Sequence, residues 1–416
     1  MSVFFYNIFL LLVRAGMPVA ALFNAKARKW VQGRRQIFTK LEAAIPAGEK
    51  LIWMHCASLG EFEQGRPLLE KLRQTYPDHK LLLTFFSPSG YEVRKNYPGA
   101  DWVFYLPMDG PGNARRFLEI VQPSLVIFVK YEFWYYYLKK IKYRNIPLLL
   151  VSALFWKEMS FFKWYGALQR KMLSRFDHLF VQDATSKTLM DDIGLAAITS
   201  VSGDTRFDRV IAIAEAAEPI GVIEEFTSGH STIIAGSTWP EDEAVLKKTL
   251  DALPSSRLKL IIAPHEVSEK HLDAIRELFP HSIRYSQLSG PHPLSHILVI
   301  DNIGLLSRLY RYAYITYIGG GFGKGIHNTL EAAVYGKPVL FGPVHHKFRE
   351  AAQLTGNGGA VSIRDAEECT AIVQQLLSDR GEYEARCRSA RDYIYTNKGA
   401  TETIVRFIQE KRLLTR

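Results

Sequence analysis

Cysteine is nearly absent. The chain of 416 residues holds three, Cys56, Cys369 and Cys387. They show neither metal-ligand spacing nor a paired framework, which argues against a disulfide-stapled fold and a structural zinc site and fits a reducing compartment. Acidic side chains are missing from the first 41 positions. Low-complexity tracts and short-period repeats are missing too. What is present is ordinary for a globular protein, with 47% hydrophobic and 23% charged residues. The length exceeds what one core usually supports, so two domains are expected. A formal net charge of +10 favours an anionic partner: nucleic acid, a phospholipid surface or a phosphorylated substrate.

The N-terminus combines an apolar run, Val3 to Val13, with Arg14, Gly16 and Pro18, a second apolar stretch from Val19 to Phe23, and then unopposed Lys26, Arg28, Lys29, Arg34, Arg35 and Lys40. A signal peptide carries its positive charge before the apolar core, and here the charge follows it. A firm span needs about 20 mostly apolar residues, and Arg14 breaks that count. A shallow or marginally spanning anchor fits better, with its basic flank on anionic headgroups at the cytoplasmic side. The alternative is a helix packed on its own domain. Residues 1–40 are assigned to this anchor and flank.

From Leu51 onward strand-like runs alternate with helical patterns: Leu51–Ala57, Lys80–Phe86, Asp101–Leu106, Leu125–Lys130, Leu148–Ser152 and His178–Gln182. A second alternation follows at Ser231–Ser237, Leu258–Ala263, His296–Ile300, Tyr312–Ile318 and Pro338–Phe341. Such alternation implies parallel βαβ units in doubly wound sheets. The domains expected are 41–211 and 231–416, with 212–230 as the connection and a helical tail after Glu382. Two similar α/β halves with a cleft between them describe the GT-B architecture: two Rossmann-like α/β domains, here preceded by an N-terminal anchor helix. Ligands of doubly wound sheets bind at the carboxyl ends of the strands, where Ser58–Glu61, Ser87–Gly90, Lys130–Glu132 and Gln182–Asp183 fall.

Glycine clusters at Gly319-Gly-Gly-Phe-Gly-Lys-Gly325, between the apolar run Tyr312–Ile318 and a helical pattern around Leu330–Val334. The spacing is neither that of a Walker A loop nor that of a dinucleotide fingerprint. Glycines let a backbone approach a ligand, and a helix start offers N–H groups to phosphate. Asn328 can cap that helix while Glu331, one turn in, either completes the cap or receives ribose hydroxyls.

Three charged residues stand at strand ends. Glu61 is a first-turn dipole partner or a general base. Glu132 sits among Phe133-Trp-Tyr-Tyr-Tyr137. Arg206 either holds an anionic group or pairs with Asp204 or Asp208. His265 could contact a base or phosphate, or cap the following helix. Asp301-Asn-Ile-Gly304 could offer backbone groups to a ligand. No Asp-x-Asp pair ends a strand, and Asp191-Asp192 lies in a helical stretch, so metal-dependent chemistry is not indicated.

Taken together and in this order, Ser58-Leu-Gly-Glu61, Tyr131-Glu-Phe-Trp134, Ser202-Gly-Asp-Thr-Arg-Phe-Asp208, Ala235-Gly-Ser-Thr238, Ala263-Pro-His265 and His327-Asn-Thr-Leu-Glu-Ala-Ala333 resemble the 3-deoxy-D-manno-octulosonic acid (Kdo) transferases of lipopolysaccharide synthesis. The resemblance implies an inverting, metal-independent GT-B glycosyltransferase without a cofactor. Its donor would be CMP-Kdo and its acceptor a lipid A precursor, lipid IVA, at the cytoplasmic face of the inner membrane. An anionic membrane surface is then the expected partner, and nucleic acid is not. By the same resemblance Glu61 is the proton acceptor, and Glu132 and Arg206 are transition-state positions. Pro264 and His265, Ile303-Gly304-Leu305, and Asn328-Thr329-Leu330-Glu331 are the CMP contacts. Arg206 stands where a Lys is usual, Leu59 where Val is common, His265 for a frequent Arg, Leu305 for a frequent Glu, and Gly319-Gly-Gly321 for Gly-Gly-Ser. The alternatives are another GT-B enzyme acting on a UDP-sugar, as transferase or epimerase, and a non-enzymatic basic protein.

Overall fold

The computed structural model describes residues 2–253, 258–288 and 295–414. It divides into two compact units, Met1–Asp208 with Lys398–Arg416, and Arg209–Asn397. Strands that are apolar on both faces need helices on both sides of a parallel sheet, and both units are built this way.

In the first unit the strands are β1 (Leu51–Cys56), β2 (Lys80–Phe85), β3 (Trp102–Tyr105), β4 (Leu125–Val129), β5 (Leu148–Ala153), β6 (His178–Val181) and β7 (Thr199–Val201). Their order is β3-β2-β1-β4-β5-β6-β7, and every pairing is parallel. All six residues of β1 are buried, as are all five of β4. The order reverses between β1 and β4. At such a reversal the helices leave to opposite faces and open a crevice at the carboxyl ends of the two strands. The segments after β1 and β4 are Ser58–Glu61 and Lys130–Glu132.

In the second unit the strands are β8 (Ser231–Thr238), β9 (Leu258–Pro264), β10 (Ile283–Arg284), β11 (Ile297–Val299), β12 (Ile315–Ile318), β13 (Val339–Phe341) and β14 (Ala360–Ser362). The order β10-β11-β9-β8-β12-β13-β14 is again all parallel. Its reversal lies between β8 and β12, so the glycine run after β12 stands at the corresponding point. The α/β, doubly wound expectation is what the chain adopts. The short strands β10 and β14 carried no sequence signal.

Two boundaries differ from expectation. The expected connection 212–230 is largely structured: a helix spans Thr205–Glu215, and another, Gly221–Thr227, buries Ile223 and Phe226 in the second unit. The tail does not stay with the second domain. The helix Ala400–Glu410 turns Ile404, Val405 and Ile408 into the core formed by Ile52, Met54, Leu68 and Leu72 of the first unit. Asp208 fixes its start by accepting from the N–H groups of Gly399 at 2.6 Å and Thr401 at 2.7 Å. An amphipathic stripe calls for a partner, and the open face beside β1 and the helix Leu59–Thr75 supplies it.

The N-terminal helix spans Val3–Phe23 and is long and apolar enough to cross a membrane by length and composition. One face is tied down. Tyr6 and Leu10 are buried, and the Tyr6 hydroxyl donates to Asp109 Oδ2 at 2.6 Å. The other face leaves Phe4, Phe5, Leu11, Leu12, Val19, Leu22 and Phe23 exposed.

Candidate active site

The turn after β1 sets Glu61. Ser58 occupies the N-cap position of the helix Leu59–Thr75, with Glu61 three residues on. That is the spacing of a capping box, yet the Ser58 side chain caps no backbone N–H. Its hydroxyl donates to Glu61 Oε2 instead. The carboxylate therefore has a fixed orientation. A Cβ on Gly65 would meet Met54 Sδ and Val129 Cγ2 at 2.9 Å, so the glycine lets the helix lie close over β1 and β4.

Glu132 follows β4 through Lys130, whose φ of +67° is the left-handed conformation that a non-glycine residue seldom adopts. The same conformation recurs at Ser152 and Ser237, at or near the carboxyl ends of β5 and β8. Glu132 is buried. Its Oε2 accepts from Trp134 Nε1 at 2.5 Å and lies 2.8 Å from His55 Nε2. His55, fully buried in β1, places Nδ1 2.8 Å from Thr84 Oγ1 and 3.1 Å from Thr84 O. Trp53 Nε1 donates to the same Thr84 hydroxyl oxygen at 2.8 Å. In the tautomer whose Nδ1 accepts from the Thr84 hydroxyl, Nε2 donates to Glu132. A buried carboxyl group thus has two nitrogen partners that hold it in place.

Glu61 and Glu132 act on common ground. Burial, then Glu61, then Glu132 push the Cys56 thiol well up from its ordinary value. Burial, Glu61 and Asp204 raise Tyr131 to about 12. Arg206 lies in the same region but is held by Asp204. Its Nη2 and Nε stand 2.7 and 2.8 Å from Asp204 Oδ2. Asp208, the other partner considered, caps the last helix. Hence the first unit gathers Glu61, Glu132 and the Arg206–Asp204 pair at strand ends.

In the second unit the glycine run answers to packing. A Cβ on Gly319 would lie 2.3 Å from Ser237 O, and one on Gly321 2.5 Å from Gly342 N. Gly320, at φ +92°, is pinned by the fully buried Asp242, whose Oδ2 accepts from the Gly320 and Trp239 N–H groups at 2.8 and 2.9 Å. Tyr317 donates to Asp242 Oδ1 at 2.9 Å. Burial raises the Asp242 carboxyl against these donors. The expected close approach of backbone to ligand is first a close approach of backbone to backbone.

The helix after it is one turn, Leu330–Ala333, with the N-cap at Thr329. Its dipole is correspondingly small. Asn328 Oδ1 accepts from Leu330 N–H at 3.1 Å, and Asn328 Nδ2 donates to Glu331 Oε1 at 3.0 Å. Burial raises the Glu331 carboxyl, opposed by Asn328 and by the charge of Arg209. The Thr329 hydroxyl is buried without a hydrogen-bond partner among the described residues. Pro264 ends β9. His265 is exposed at its edge but stacked between Trp239 at 4.8 Å and His327 at 4.4 Å. Burial and then the neighbouring His265 lower His327 to about 4. Ile303 is 91% exposed, and Gly304, at φ +100°, leads through Leu305 into the short helix Leu306–Leu309.

The sequence did not point to His55, Asp242 or Arg209 as site-building residues, and it gave Trp134 only as part of a motif; the Asp204 pairing with Arg206 is one of the two that it offered. The available signals were a lone His in an otherwise apolar strand and an acidic residue in the turn before Arg206.

The family model described as 3-deoxy-D-manno-octulosonic-acid transferase (kdotransferase) matches residues 31–209. The Kdo transferase of Aquifex aeolicus is 28% identical over 81% of this chain and 89% of its own length. That of Haemophilus influenzae is 25% identical over 97% of both. Residues 31–209 thus match a Kdo transferase domain, and the chain is similar to Kdo transferases over most of its length. That similarity supports a glycosyltransferase of lipopolysaccharide biosynthesis. Its fold is GT-B-like: a UDP-GlcNAc 2-epimerase from Neisseria meningitidis superposes with a TM-score of 0.62 at 16% identity, over 87% of this chain and all of that one. At that identity the likeness speaks for the fold alone.

Proposed function

We propose that this protein moves Kdo from CMP-Kdo to a lipid A precursor, lipid IVA, by an inverting, metal-independent displacement. The reaction runs at the cytoplasmic face of the inner membrane. The carrying observation is the pair of carboxylates, Glu61 and Glu132, after the two strands that flank the reversal of order in the first sheet. The first unit is the acceptor domain on this reading and the second the CMP-sugar domain.

Glu61 takes the proton from the acceptor hydroxyl as its oxygen bonds to the anomeric carbon of Kdo. The bond to the CMP phosphate breaks, and its electron pair leaves with CMP. The fixed negative charge of Glu132 stabilises positive charge at the anomeric centre. Arg206, charge-balanced at rest by Asp204, is the cation available to the departing phosphate or the Kdo carboxylate. Among the described residues no group of three His, Cys, Asp or Glu side chains is arranged to hold an ion. On this reading hydrogen-bond donors and cations meet the leaving-group charge.

Pro264, His265, Ile303, Gly304, Leu305 and Asn328 to Glu331 form the CMP site. The unpartnered Thr329 hydroxyl and the fixed Glu331 carboxylate support it. Glu331→Ala weakens CMP binding by about 1.5–3 kcal/mol, the worth of a charged hydrogen bond. Titration calorimetry on the folded variant measures this. Unchanged affinity would leave Glu331 as the partner of Asn328 only.

The exposed face of the N-terminal helix and the basic flank hold the enzyme on anionic membrane. Leu12 and Leu22 are 65% and 69% exposed. Replacing each with Gln lowers partition onto anionic vesicles on the order of tenfold per residue, the cost of losing a buried leucine, without changing the melting temperature. Co-sedimentation equal to wild type would leave the helix as a packing element.

A further inference from the structure

Beside the first-unit carboxylates lies a groove that the reading above leaves unused. It measures about 500 Å³, and its lining is almost wholly apolar. One wall is a stripe of the N-terminal helix, Phe9, Val13, Met17 and Ala20. Their spacing of four, four and three residues puts them on one helix face. The opposite wall is aromatic: Trp30, Phe86 and Trp134.

That wall is built rigidly. Phe86 packs on Trp134 at 4.7 Å and on Trp30 at 5.7 Å. Arg34 lies over the Trp30 ring at 3.9 Å and donates to the carbonyls of Phe86 at 2.8 Å and Leu106 at 2.9 Å. A preformed apolar slot binds an apolar ligand without first paying to order its walls.

Its position decides the occupant. Trp134 lines the groove, and its N–H donates to Glu132. The groove and the candidate active site therefore share one side chain. The other wall belongs to the helix whose outer face is apolar and exposed. Lys26 stands at the rim, where an anionic headgroup would meet it. A chain in the groove could pass from the membrane-facing helix toward Glu132 along apolar surface.

We propose that this groove binds an acyl chain of the lipid acceptor and so positions the acceptor hydroxyl at the carboxylates. The inference rests on the acceptor being acylated, as read above. Its consequence is that the enzyme measures acyl chains and sugar together.

The test compares transfer to acceptors with full-length, shortened and removed acyl chains, all in the same mixed micelles. For wild type, kcat/KM falls about fourfold for each methylene withdrawn from the groove. Ala20→Phe, which projects into the groove from an exposed position, lowers the ratio of kcat/KM for acylated over deacylated acceptor at least tenfold and flattens the dependence on chain length. Ala20→Phe with the same ratio and slope as wild type would overturn the proposal.

A second measurement needs no turnover and separates the two readings. An acceptor with a photoreactive group in its acyl chain labels Phe9, Met17 or Trp30 of the wild-type chain, and excess unlabelled acceptor suppresses the label. Such labelling supports the groove even if Kdo transfer fails. Labelling elsewhere, or equal labelling by a photoreactive phospholipid despite excess acceptor, would overturn it even if transfer succeeds.

Discussion

Glu61→Gln lowers the turnover of Kdo transfer by about 10²–10⁴-fold, the usual worth of general-base assistance, and leaves CMP-Kdo binding in place. A sugar hydroxyl is a poor nucleophile until a base removes its proton, and the amide keeps the shape of the side chain without its basicity. The Ser58 hydroxyl that donates to Glu61 Oε2 can still donate to a Gln carbonyl, so the turn survives the change. The other carboxylate at the reversal, Glu132, is buried and already engaged by His55 and Trp134, whereas the Glu61 contact is with one hydroxyl. A loss in kcat at constant KM for the donor is the signature of an interaction made only in the transition state. Turnover within a few-fold of wild type would move the base elsewhere, with Glu132 next.

His55→Leu has the second largest effect, and it acts on both stability and rate. Breaking a buried hydrogen-bonded pair by removing one partner costs about 3–5 kcal/mol. Here it leaves Glu132 with Trp134 as its remaining donor from the pair described and Thr84 without its ring partner. The melting temperature falls by more than 5 °C, on the scale of about 2–4 °C per kcal/mol for domains of this size. In protein that remains folded, kcat falls by about 10- to 150-fold, the worth of one charged hydrogen bond, because Glu132 no longer holds its place. His55→Gln, whose amide N–H can stand where Nε2 stood, recovers much of kcat. Equal losses for Leu and Gln would make His55 a packing residue.

The fold was largely legible because its strands are buried on both faces. Leu51–Cys56, Leu125–Val129 and Leu148–Ala153 read as continuous apolar runs between turn signals, and such runs at this spacing leave little besides a doubly wound sheet. Ile283–Arg284 is two residues long, and Ala360-Val-Ser362 holds a single large apolar side chain, so neither carries an apolar run. The docking of Ala400–Glu410 on the first unit was invisible for another reason. Its stripe announces a buried face but does not say whose.

The charged residues after the strands could be found by position, and so could the nearby Asp204 of Arg206, but the distant partner of Glu132 could not. His55 looked like one more residue of a buried run, and its contact with Glu132 joins positions 77 apart. The glycine run invited a ligand reading because glycine permits any close approach. Only the structure shows that Ser237 and Gly342 already occupy that space.

Transfer of Kdo from a CMP-activated donor to a lipid acceptor is tested by one reaction. The full-length enzyme is incubated with CMP-Kdo and a tetraacyl lipid A precursor, without added metal and with a chelator present, and the lipid is weighed by mass spectrometry. The lipid is expected to gain the mass of one or more Kdo residues as CMP appears, and Glu61→Gln to slow both together. An unchanged lipid mass with CMP-Kdo, alongside turnover of a UDP-sugar by the same preparation, would contradict it.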